Sequence, residues 1–128
     1  RANATIQNMA TTDSQKLRDD ILHSLEDNKA INPVTIKLSP ETIWADGIII
    51  ASGNSDRHLR AMAEKLRPLL KQHGLTQTHI EGQPGSGWLL LDAGSWIVHL
   101  FKPQTRTLYD LESLWNFSRP EPEPEQDK

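Results

Sequence analysis

The chain of 128 residues predicts an α/β fold, with a single mixed β-sheet of about five strands and helices packed on its faces. Three observations point there. Apolar residues recur at helical spacing in two separate stretches, residues 17–25 and 59–70. Between and after them lie short runs rich in Ile, Val and Leu that alternate with polar residues or are continuously apolar, as strands are. The elements follow one another as helix, strand, strand, helix, three strands, helix, an order that layers helices onto one sheet.

Residues 1–11 are polar and patternless and are expected to be flexible. Thr12 with Gln15 resembles a capping box, and Leu17, Ile21, Leu22 and Leu25 form an apolar stripe, so a helix is expected over residues 13–29. Asn32 and Pro33 break it. Val34, Ile36 and Leu38 alternate with Thr35 and Lys37, a half-buried strand. Residues 47–51 include Ile48, Ile49 and Ile50, a β-branched run that predicts a strand covered on both faces. Ser52-Gly53-Asn54-Ser55 is a tight turn offering Asn54 or Ser55 as an N-cap. The stripe of Leu59, Met62, Ala63, Leu66, Leu69 and Leu70 ends at Gly74, a suitable residue to follow a helix. Pro68 removes one donor inside that helix and predicts kinked or offset last turns.

Residues 76–80 read as a short strand, and Gly82, Pro84, Gly85 and Gly87 make a mobile loop. Residues 88–92 and 96–101 flank Ala93-Gly94-Ser95 as an antiparallel hairpin. The second of these strands is apolar on both faces and is expected to be central. After Pro103, Leu108, Leu111, Leu114 and Trp115 fit one face of a closing helix. From Asn116 onward prolines alternate with glutamates, a composition expected to be disordered. The folded domain is therefore expected over residues 12–115, with residues 116–128 as its tail.

The tail holds four acidic and two basic side chains, so the rest of the chain carries 12 basic and 13 acidic ones and is nearly neutral. A protein that binds nucleic acid mainly through phosphates shows a basic excess, so sequence-specific nucleic-acid binding is not expected. With no cysteine there are neither disulfides nor thiolate metal sites. No apolar run approaches the ~20 residues of a membrane span, and residues 1–10 lack the pattern of a secretory signal. A soluble cytoplasmic protein is the expectation.

The five histidines, His23, His58, His73, His79 and His99, form no metal-binding pattern. His99, inside an apolar strand, reads as a hydrogen-bonded sheet histidine. The segment Ser52-Gly53-Asn54-Ser55-Asp56-Arg57-His58 carries a hydroxyl, a carboxylate and an imidazole at a helix start. Neighbours on one helical turn seldom provide nucleophile-to-base geometry, and the segment reads as a strand-to-helix turn with capping side chains and a polar surface in preference to a catalytic site. Asp46, Asp56 and Asp92 are scattered singly, which counts against a two-carboxylate metal site for nucleotide transfer. Trp88 and Trp96, at opposite ends of the hairpin, are either core residues or anchors for a protein partner. No cofactor and no metal are implied.

Two blocks resemble the signature of the ribosomal silencing factor (Iojap-like) family. The first is Ala45-Asp46-Gly47-Ile48-Ile49-Ile50-Ala51-Ser52-Gly53-Asn54-Ser55-Asp56-Arg57-His58. The second runs from Glu81-Gly82 through Gly87-Trp88-Leu89-Leu90-Leu91-Asp92-Ala93-Gly94 and Val98-His99-Leu100-Phe101 to Arg106, Tyr109, Leu111-Glu112 and Leu114-Trp115. Gly47 and Ala93 depart from the family pattern. The resemblance implies a nucleotidyltransferase-like fold without the catalytic carboxylates, hence a non-enzymatic protein. It implies binding to the large ribosomal subunit through large-subunit protein fourteen, on the face that meets the small subunit. Joining of the subunits would then be blocked and translation lowered under nutrient limitation. Trp88, Leu89, Arg106 and Tyr109 are the implied partner contacts, and Ser52, Gly53, Arg57 and His58 are implied as turn residues and further candidate contacts. Relatives often crystallise as homodimers, so self-association is a further expectation. The alternative is an enzyme of the nucleotidyltransferase kind, using a nucleotide and a divalent metal.

Overall fold

A computed structural model describes the backbone of residues 2–39, 41–43, 45–83, 85–111 and 113, with side chains from residue 13 onward. Three helices, α1 (Ala2–Asp27), α2 (Asp56–Gln72) and α3 (Pro103–Tyr109), surround five strands, β1 (Ile31–Lys37), β2 (Gly47–Ser52), β3 (Ile80–Glu81), β4 (Trp88–Ala93) and β5 (Trp96–Phe101). The sheet order is β1-β2-β5-β4-β3. Only β2 and β5 run parallel, and every other neighbouring pair is antiparallel. This is the expected single mixed sheet, with β5 at its centre.

Alternation along the strands creates two apolar layers. On one face, Ile49 and Ala51 of β2, Leu89 and Leu91 of β4, and Trp96, Val98 and Leu100 of β5 meet Leu17, Ile21 and Leu25 of α1. Leu59, Met62, Leu66 and Leu70 of α2 complete this layer. On the other face, Ile36, Ile48, Ile50 and Phe101 are buried, with Val34, Leu38, Trp88, Ile97 and Leu111 packed against them. Every residue of β2 is buried, as a strand covered on both faces requires. Trp96 is a core residue: its indole N–H donates to the Ser14 carbonyl at 2.9 Å, and Ser14 in turn donates to Asp46 at 2.6 Å. Gly47 lies under that indole, where a Cβ would stand 2.3 Å from the ring.

Several boundaries differ from expectation, each for a local reason. α1 begins at Ala2, upstream of the expected start at Asp13. It closes at Lys29, which takes a left-handed φ of 66°, while the Ala30 N–H returns to the Leu25 carbonyl. Asn32 and Pro33 therefore do not end the helix. They sit in β1, where the register shifts between Ile31 and Val34, a bulge on an edge strand that tolerates proline. The strand expected over residues 76–80 is reduced to Ile80–Glu81. Upstream, the Thr78 carbonyl is taken by the Arg67 guanidinium and its hydroxyl donates to the Leu75 carbonyl. α2 passes through Pro68 to Gln72 and is closed by Gly74 at φ 86°, with the Leu75 N–H bonded to the Leu70 carbonyl. The closing helix is interrupted: Asp110 adopts a left-handed conformation and ends α3, Leu111 and Ser113 are helical again, and Leu108 is 77% exposed rather than packed. Leu114, Trp115 and the tail from Asn116 lie outside the described residues.

Candidate functional site

The face of the sheet opposite α1 and α2 carries an aromatic cluster. The antiparallel register of the hairpin pairs Trp88 with Phe101 and Leu90 with His99, so Trp88, His99 and Phe101 project from one face. The Trp88 ring lies 5.1 Å from Phe101, 5.8 Å from His99 and 4.7 Å from Tyr109, centroid to centroid. Its indole N–H donates to His99 Nδ1 at 3.1 Å. His99 is buried, and burial pushes its pKa down to about 4. The expectation of a hydrogen-bonded sheet histidine holds.

Local sequence fixes this geometry. Gly87, just before Trp88, has φ 78°, and a Cβ there would stand 2.5 Å from the Thr105 hydroxyl. Glycine thus lets the loop reach β4 while α3 packs closely. Ser86 braces the strand start, accepting the Trp88 backbone N–H and donating to its carbonyl. Pro103 opens α3, where its missing N–H is harmless. The Lys102 N–H bonds to the Gly87 carbonyl. One turn later the Arg106 guanidinium donates to the Ser52 hydroxyl at 2.9 Å and to the Ile31 carbonyl at 3.3 Å. These bonds pin α3 across the ends of β1 and β2 and set Tyr109, 49% exposed, over Trp88.

Of the four implied contacts, Trp88, Arg106 and Tyr109 therefore converge on one face. Leu89 does not join them. As the next residue on the strand it points the opposite way and is 6% exposed within the helix-side core. Leu108, beside Tyr109, is an exposed apolar residue that sequence reading assigned to packing. Phe101 and His99 were also missed as partners of Trp88, although counting strand pairs outward from the Gly94 turn places them opposite and diagonal to it.

The turn residues have structural work. Ser52 is buried and accepts from Arg106. The Gly53 N–H donates to the Phe101 carbonyl, and a Cβ on Gly53 would lie 2.8 Å from Met62 and 2.9 Å from Leu59. Ser55 is the N-cap of α2, its side chain accepting the His58 N–H. The His58 ring accepts the Asn54 N–H at Nδ1 and reaches the Asn28 carbonyl from Nε2 at 2.7 Å. A carbonyl only accepts, so Nε2 carries the proton and both ring nitrogens are occupied. That leaves His58 committed to the fold instead of to a neighbouring hydroxyl. Arg57 is exposed on the first turn of α2 and lines a cleft of ≈ 380 Å³ with Arg60, Ser86, Gly87 and Trp88. Among the described residues no group of three or more histidines and carboxylates is placed to hold a metal. No helix of the described residues is long and apolar enough to cross a membrane.

Comparison with known proteins agrees with this architecture. The family described as "Ribosomal silencing factor during starvation" matches residues 11–128. A ribosomal silencing factor of Zymomonas mobilis is 40% identical over 111 residues, covering 87% of this chain and 84% of that protein. The mouse protein named for mitochondrial assembly of the ribosomal large subunit is 37% identical over 100 residues, covering 76% of this chain and 44% of its own length. A crystal structure of a Chromobacterium violaceum protein superposes with a TM-score of 0.72 at 31% identity, covering 84% of this chain and 88% of that one. A Bacillus halodurans structure gives 0.67 at 29% identity, covering 79% and 94%. Fold, motif order and relatives coincide over most of the chain, which belongs to the ribosomal silencing factor family.

Proposed function

We propose that this protein binds the large ribosomal subunit through large-subunit protein fourteen, and that its bulk on the joining face hinders association with the small subunit. Translation falls as a result when nutrients are scarce. The observation that carries the reading is the half-buried Trp88 with Tyr109 packed against it, ring planes tilted by 47°, and the exposed Leu108 next in sequence to Tyr109. Aromatic anchors on rigid scaffolds are what dominate protein interfaces. Here the sheet holds one ring and the pinned α3 holds the other. Arg106 acts by fixing α3, and Leu89 belongs to the helix-side core. An interface of roughly 800 Å² on this partner would be of ordinary size. The action is steric and needs no catalytic group. Cytoplasmic residence and self-association into a homodimer fit the same reading.

The test is subunit reassociation on sucrose gradients, with purified subunits and added protein, wild type beside Trp88→Glu. Wild type is expected to cosediment with the large subunit and reduce joined ribosomes, while the folded variant does neither. A wild-type protein that leaves joining untouched would refute the steric reading. A Trp88→Glu variant that still blocks joining would move the contact elsewhere.

A further inference from the structure

Trp88 presents its ring in one orientation, and that orientation has an identifiable cause. The indole has a single donor, Nε1–H, and it is aimed at His99 Nδ1 at 3.1 Å. His99 is itself held: its ring is stacked on Phe101 with centroids 6.0 Å apart and planes within 7°. It occupies a strand whose other members, Trp96, Ile97, Val98, Leu100 and Phe101, are all apolar. An imidazole buried there is disfavoured against an aliphatic side chain unless its polar atoms are used. The use visible in the structure is acceptance of the Trp88 proton.

We propose that His99 is a positioning residue for partner docking: its Nδ1, by accepting the indole N–H, fixes the Trp88 ring in the pose that meets the ribosomal partner. This rests on the reading of Trp88 as a contact. Without the acceptor, the indole can turn about its side-chain torsions and satisfy its N–H with water. Binding then carries the cost of restoring the pose, which preorganisation otherwise removes. The arrangement requires an unprotonated Nδ1 with the ring proton on Nε2. The low pKa that burial imposes keeps the ring in that neutral form near pH 7. His99 touches Trp88, Phe101 and their surroundings instead of the partner, so its effect passes through Trp88.

The experiment measures binding to purified large ribosomal subunits by wild type, Trp88→Ala, His99→Leu, His99→Asn and the double variant Trp88→Ala/His99→Leu. Asparagine places an oxygen acceptor close to the Nδ1 position, whereas leucine has none. His99→Leu is expected to weaken binding about tenfold, the scale of one hydrogen bond. His99→Asn is expected to recover most of that loss, and His99→Leu to add nothing once Trp88 is gone. Equal weakening by His99→Leu with and without Trp88, or none at all, overturns the positioning role while leaving Trp88 as a contact. If wild type fails to bind, or Trp88→Ala binds like wild type, the docking reading itself fails and the positioning role falls with it. Should His99→Leu not fold, ¹⁵N NMR of the wild type decides. A through-bond coupling between Trp88 Nε1 and His99 Nδ1, with the imidazole proton on Nε2, supports the assignment. A proton on Nδ1 at pH 7, or an indole N–H exchanging freely with water, overturns it.

Discussion

His58 and Trp88 are both aromatic residues with a ring N–H in a hydrogen bond, yet they differ in what is left to present. The His58 ring closes the turn after β2 against the end of α1, with the Asn54 N–H on one side and the Asn28 carbonyl on the other. Truncation to alanine strands both backbone groups, so His58→Ala is expected to cost about 1–3 kcal/mol of stability. The folded protein is expected to keep its affinity for the large subunit. Urea unfolding and gradient cosedimentation check the two halves separately, and a variant of unchanged stability that no longer binds would place His58 in the interface. Trp88 donates its N–H internally and packs against His99, Phe101 and Tyr109, yet it is only half-buried and keeps part of its ring available. Trp88→Ala is therefore expected to lower affinity by roughly 2 kcal/mol or more, on the scale of interface anchors. Leu89→Ala, one residue along, is expected to act the other way. It opens a cavity in the helix-side core and costs about 2–5 kcal/mol of stability, with little loss of affinity in whatever remains folded.

At the scale of elements, α3 is the part whose place depends on few bonds. None of its side chains is buried, and Arg106 ties it to Ser52 and Ile31. Arg106→Ala is expected to loosen Tyr109 from Trp88 and reduce partner affinity, with a smaller change in unfolding midpoint than Leu89→Ala produces. Amide exchange over residues 103–110, faster in the variant than in wild type, is the direct measurement. Exchange unchanged there would mean that the remaining contacts of α3, among them the Lys102 N–H to the Gly87 carbonyl and Tyr109 against Trp88, suffice to hold it. The same elements show how far sequence reading reaches. The stripes of α1 and α2, the isoleucines of β2 and the hairpin turn at Gly94 follow from periodicity and turn chemistry, because each is dictated by burial of its own residues. The shortened β3 and the left-handed stop at Asp110 do not. The first depends on Arg67, eleven residues away from the Thr78 carbonyl it captures, and the second on a backbone conformation that aspartate takes without announcing it. Of the candidate site, Trp88 and Tyr109 were named through the resemblance, while their packing against each other is visible only in the fold. Leu89 was misplaced because neighbouring strand residues face opposite layers. His99 was legible as a hydrogen-bonded residue, while its partner could be found only through the strand register.

For the molecule as a whole, two side chains with perturbed pKa values among the described residues, His99 and Asp20, make the fold sensitive to acid in two separate windows. His99 is held by burial at a pKa of about 4 in the folded state, below the ~6.5 of an exposed imidazole in the unfolded chain. The unfolded chain therefore binds the extra proton first. The contribution of a neutral His99 is complete above about pH 6.5 and is lost progressively as pH falls towards 4. Asp20 is shifted downward, chiefly by the hydrogen bond from His73 at 2.7 Å that ties α1 to the end of α2. Its contribution is complete above the ordinary carboxylate range and lost only as pH falls below it. Between pH 7 and pH 5 the His99 effect thus operates alone of the two, and a shift of this size corresponds to roughly 2 kcal/mol over that interval. Denaturant unfolding at the two pH values is expected to show wild type losing about that much more stability than His99→Asn, which cannot titrate at this position. Equal losses in the two proteins would mean that His99 is charged as readily in the fold as in the unfolded chain. The acceptor that orients Trp88 would then be absent under mildly acidic conditions while the fold persisted, a state that the measured affinity at pH 5 would reveal as weakened binding without unfolding.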